Sequence, residues 1–158
     1  MPEPLVGASV FDQRLYDHVS SHVENEVEAL QGYATLAEST ESKAFKFLAE
    51  LILEDERKHH RMLSDLAQTI KVSAGASREP AQLPFLDLHK DREAILAATE
   101  KLLAIEQEDQ EKLKKLAREV KDFRDTTLWE LVLKIMEADN SKHRMILKFV
   151  RDHARHPR

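Results

Sequence analysis

The chain contains no cysteine. That excludes disulfides, zinc–thiolate sites, iron–sulfur clusters and cysteine nucleophiles together. Glycine is scarce, with three in 158 residues, so few positions invite a turn or break a helix. No apolar run approaches the ~18–20 residues that a membrane span needs. An excess of positive charge is also missing: the net charge is −5, which argues against nucleic acid as the main partner, because phosphate binding needs a basic face. The opening Met1-Pro2-Glu3-Pro4 has neither the basic nor the apolar region of a secretory signal, so a cytoplasmic location is expected. What is present is 42% hydrophobic and 34% charged residues. That composition suits one soluble, mostly helical domain over 1–158 with a core of its own.

The two halves of the chain repeat each other. Ile52-Leu53-Glu54-Asp55-Glu56-Arg57-Lys58-His59-His60-Arg61-Met62 returns as Ile135-Met136-Glu137-Ala138-Asp139-Asn140-Ser141-Lys142-His143-Arg144-Met145, offset by 83 residues. Under the same offset Val19 meets Leu102, Glu26 meets Asp109, Leu30 meets Leu113 and Tyr33 meets Leu116. Each half therefore carries acidic groups at matching helical positions. Carboxylates taken into a core are costly unless they are paired or bound to metal.

Apolar residues recur at steps of three and four, which predicts four helices at about 10–38, 42–70, 88–119 and 126–153. The first stripe runs Leu15, Val19, His22, Glu26, Leu30, Tyr33 and Ala37, and the second Phe45, Leu48, Ile52, Glu56, His59, Met62 and Leu66. The third runs Ile95, Leu102, Glu106, Asp109, Leu113, Leu116 and Val120, and the fourth Leu128, Leu131, Ile135, Asp139, Lys142, Met145 and Phe149. Ser42 before Phe45, and Thr127 with Glu130, read as helix starts. Short links near 39–41 and 121–125 predict two antiparallel hairpins. The longer stretch from Lys71 to about Asp87, with Gly75, Pro80 and Pro84, predicts a crossover between them. The expected fold is therefore all-α, a four-helix bundle of two hairpins joined by a long crossover.

Each stripe turns polar at mid-length. The pairs are His22 with Glu26, Glu56 with His59, Glu106 with Asp109, and Asp139 with Lys142. Residues three or four apart on a helix aim at one place, and hairpin geometry sets the helix midpoints at one level. Carboxylates with an imidazole suit iron, manganese or zinc, and the predominance of oxygen favours iron or manganese.

In these residues the chain resembles the ferritin-like superfamily, including rubrerythrins and bacterioferritins. The likeness is carried by Glu26 and Tyr33 with six residues between them, and by the Glu-x-x-His of Glu56-Arg57-Lys58-His59. It implies a di-iron centre with Glu56 bridging, Glu26 and His59 on one metal, and Asp109 or Glu106 with Asp139 on the other. It further implies ferroxidase or peroxidase-type chemistry. Without cysteine-ligated iron, such chemistry needs an external electron donor. A homodimer or higher oligomer is a further expectation, and Tyr33 is the candidate for a redox role. The departure lies on the fourth helix, where the second Glu-x-x-His reads Asp139-Asn140-Ser141-Lys142, so the second half-site is degenerate and the site could hold one metal.

Two other readings use the same residues. Lys142 among Glu56, Asp109 and Asp139 would neutralise a metal-free, salt-bridged core, leaving a structural or protein-interaction module. His22-x-x-x-Glu26 resembles a motif of hemerythrin-like bundles, with His22 as a further ligand. His60, Arg61, His143 and Arg144 repeat identically but sit one step off the inner stripe. They are expected in helix–helix or subunit contacts with neighbouring acids.

Overall fold

The computed structural model describes residues 4–84, 86–122 and 127–156, with the side chains of 23–26, 29, 122 and 127 outside the described set. The described chain is all-helical. Helix α1 spans Val10–Ser39, α2 Lys43–Ser73, α3 Arg92–Glu119 and α4 Thr127–Arg155, with a 3-10 turn, Val120–Asp122, extending α3. Among the described residues no helix is long and apolar enough to cross a membrane.

The helix ends follow from local chemistry. Ser9 begins α1 with a complete capping box: its hydroxyl accepts from the Asp12 N–H at 3.1 Å while the Asp12 carboxylate accepts from the Ser9 N–H at 3.3 Å. These bonds satisfy donors that the first turn cannot pair internally. Ser42 caps α2 as its sequence position suggests, accepting from Phe45 N–H at 3.2 Å. Helix α2 ends in a Schellman motif. Gly75 takes φ +71, and the N–H groups of Gly75 and Ala76 return to the carbonyls of Val72 and Lys71 at 3.0 and 2.9 Å. Helix α3 starts at Arg92 rather than near 88, behind Asp91 in a left-handed conformation at φ 57. The capping role read at Thr127 and the link at 123–126 lie outside the described residues.

The chain divides into two compact units, Met1–Phe85 and Leu86–Arg158. In the first, α1 and α2 form an antiparallel hairpin. Tyr16 and Val19 from the start of α1 pack on Ile70 from the end of α2, with Leu63, Leu66 and Ala67 alongside. Ala37, Ala49 and Leu53 continue this seam in buried positions. The stretch after α2 folds back on it: Leu83 N–H donates to Thr69 Oγ1 at 3.1 Å, and Gln68 Nε2 donates to Ser77 Oγ at 3.1 Å.

In the second unit α3 and α4 pair in the same sense. Leu113, Val120 and Leu133 form its apolar cluster. At the far end Arg92 Nε donates to the Ala154 carbonyl at 2.7 Å and its Nη2 to the Arg155 carbonyl at 3.1 Å. Arg155 in turn pairs with Glu100. The end of α4 is thus held through Arg155, with Ala154 fully buried.

The face of α4 that meets α3 is not its apolar stripe. Leu133, Asn140 and Ala154 are buried, whereas Leu131, Met145 and Phe149 stay exposed. A hairpin buries only a narrow seam of each helix, so a helix amphipathic over a wider arc keeps apolar surface outside that seam. The first unit does the same with Leu15, Tyr33, Ile52 and Met62.

Candidate metal centre and its repeat-related cleft

Midway along the second hairpin, α3 supplies Glu106, Asp109, Lys112 and Leu113, and α4 supplies Met136, Asp139, Asn140 and His143, to one cleft of about 470 Å³. Three of the acidic residues expected to form a site, Glu106, Asp109 and Asp139, therefore do share a cleft. Helical spacing explains it: each of these residues lies three or four positions from another on its own helix, and the antiparallel pairing brings the two midpoints level.

The groups are already engaged with one another. Asn140, 5% exposed, donates through Nδ2 to Glu106 Oε2 at 2.6 Å and to the Glu106 backbone carbonyl at 2.8 Å. Glu106 Oε1 lies 3.2 Å from His143 Nδ1. Both carboxylate oxygens of Glu106 are thereby taken. The Asn140 Oδ1 atom is buried without a hydrogen-bond partner in the structure, an uncommon state that costs free energy unless something fills it. Lys142 Nζ lies 2.5 Å from Asp139 Oδ1. Beside the cleft, Lys112 pairs with Glu108 at 2.8 Å. Their mutual hydrogen bond, and then their opposite charges, hold Glu108 below and Lys112 above their ordinary pKa values.

On the first hairpin Glu56 is half-buried and lies 3.5 Å from His59 on the same helix, whose side chain is 52% exposed. His59 thus points away from the α1–α2 seam. His22 is exposed on α1 with its ring 5.0 Å from that of His18. Tyr33, a member of the first stripe, is exposed and stacks on Phe45 at 6.4 Å. The Glu26 side chain lies outside the described residues. Among the described residues, no three histidine or acidic side chains converge as a metal-holding group. The donors in the second-hairpin cleft are of the right chemical kind for a hard divalent ion. As placed, however, Glu106 is bonded to Asn140 and His143, and Asp139 to Lys142.

The residue that the helical stripe missed is His143. The stripe put Lys142 inside, one position earlier. In the structure His143 lines the cleft and reaches across to an acid on the neighbouring helix, Glu106. The visible signal was the identical His60/His143 pair in the repeat. A matching cleft exists on the first hairpin, about 330 Å³, lined by Val27, Leu30, Gln31, Ala34, Leu53, Arg57 and His60. Four of its positions correspond to the other cleft under the 83-residue offset: Leu30 to Leu113, Leu53 to Met136, Arg57 to Asn140 and His60 to His143. The repeat therefore extends from sequence to the location of two clefts. No protein-family model, curated protein or solved structure matches the chain.

Proposed function

We propose that the chain is a ferritin-like four-helix bundle whose function is to bind a divalent metal, iron or manganese, through carboxylates and histidine. The observation that supports this reading is the gathering of Glu106, Asp109, Asp139 and His143 on one cleft beside Asn140. Glu106, Asp109, Asp139 and His143 would be the residues that hold the ion, and Asn140 Oδ1 is an additional oxygen at the same place. Binding requires Asp139 to leave Lys142 and Glu106 to give up His143. Ferroxidase or peroxidase-type turnover, zinc as the metal, and a homodimer or higher assembly remain part of the proposal.

A second reading rests on the Asp139–Lys142 pair and the Glu106–Asn140–His143 network. These neutralise or satisfy the acids internally, as a metal-free structural or interaction module needs. Calorimetric titration with iron(II) under argon, and with manganese(II), separates the two. The metal reading expects about one ion or more per chain in the wild type and at least a tenfold loss of affinity in Asp139→Asn. No binding of either ion, in protein prepared without chelators, would favour the metal-free reading.

A further inference from the structure

On α1 the buried Val19 packs toward Ile70 of α2, and His18 and His22 beside it are both exposed. They stand four positions apart, about one turn of helix, so their side chains leave the same face. Their rings do meet: the centroids are 5.0 Å apart, with the planes tilted by 55°. Both line one surface cleft of about 340 Å³, together with Arg14, Asp17 and Ser21. Under the 83-residue offset the two positions become Lys101 and Ile105, so this histidine pair belongs to the first hairpin alone. Imidazole is a favoured ligand of copper, nickel and zinc, and copper(II) heads the affinity order at a given nitrogen site. With metal–nitrogen bonds of about 2.0–2.1 Å, two imidazoles on neighbouring corners of one ion have ring centroids about 4.5–5 Å apart. The observed pair already stands at that separation. Once the first nitrogen is bound, the second binds within the same helix, so the pair holds an ion more tightly than two separate imidazoles do.

We propose that His18 and His22 chelate a divalent transition-metal ion of the copper–nickel–zinc class, copper(II) most tightly, on the exposed face of α1. Each ring gives one nitrogen to the ion, and binding is coordination alone. The donors are nitrogens, whereas the cleft of Glu106, Asp109 and Asp139 offers mainly oxygens and suits a harder ion. The two sites use different residues on different hairpins, and the histidine chelate does not depend on metal binding by the second hairpin.

The test is titration of the full chain with copper(II) in a buffer that does not coordinate it, read by calorimetry, with electron paramagnetic resonance at substoichiometric copper. The tightest-bound copper(II) of each chain is expected to carry two imidazole nitrogens. His18→Gln and His22→Gln should each weaken it at least tenfold, and the double variant little further, because either loss ends the chelate. His22→Gln combined with Ser20→His keeps the number of histidines but sets them two positions apart, where helical side chains do not face each other, and should not restore affinity. His156→Gln and Asp139→Asn should leave it unchanged. His18 and His22 are exposed, so the helix content of their variants, read by circular dichroism, should match the wild type. Absence of copper(II) binding, unchanged affinity in either single variant, recovery with Ser20→His, or an equal loss in His156→Gln or Asp139→Asn would overturn the proposal.

Discussion

Asn140 is the buried polar residue on which the second hairpin turns. It bonds Glu106 twice and leaves its own oxygen without a partner. Asn140→Leu removes those donors and strands the Glu106 carboxylate. A loss of ~1–3 kcal/mol is expected from the cost of an unsatisfied buried group, read by urea denaturation. Asn140→Asp instead sets two carboxylates together. Each raises the pKa of the other, so stability lost at neutral pH should return as the pH falls and one of them protonates. The Glu108–Lys112 pair has the opposite sign. Glu108 is lowered by its bond to Lys112, so its contribution is present at neutral pH and lost on acidification. Lys112→Ala should return the Glu108 carboxyl titration, followed by NMR, to the ordinary range. At this scale the sequence was only partly legible. Glu106 and Asp109 line one cleft, as i, i+3 spacing on a helix requires. The partner on α4 was misplaced by one position, from His143 to Lys142. A single step of about 100° lies within the arc over which α4 is amphipathic, and only the neighbouring helix decides which edge of that arc meets the seam.

At the scale of the element, the helices were legible because apolar residues recur over seven or more turns with few glycines to interrupt them. Their ends were less so. Ser42 announced α2, whereas the capping box at Ser9 and Asp12 passed unread, and the left-handed Asp91 set the start of α3 where periodicity could not. Ser42→Ala should cost ~1 kcal/mol through the lost cap, measured as a lower thermal midpoint. Gly75 has open space around its Cα, so Gly75→Ala tests backbone strain alone. The left-handed φ should make it cost ~1–2 kcal/mol despite the absence of any clash.

At the scale of the molecule, each hairpin satisfies its own seam and keeps an apolar band exposed, Leu15, Tyr33, Ile52 and Met62 on one and Leu131, Met145 and Phe149 on the other. An all-helical chain of paired hairpins was legible from periodicity and link lengths. A crossover does not follow from link length, since a long connection is compatible with more than one path. Metal binding would register on the whole molecule as added stability. At a free concentration near a hundred times the dissociation constant, linkage gives ~2.7 kcal/mol, and the thermal midpoint should rise with manganese(II) in the wild type and clearly less in Asp139→Asn. The matched clefts have one more consequence. Each hairpin is a naturally occurring variant of the other, in which the backbone has already accepted arginine for asparagine, and leucine for methionine, at corresponding sites. The halves can therefore serve as donors for each other, and an exchange of Arg57 with Asn140 asks which properties of a cleft travel with the residue and which stay with the hairpin.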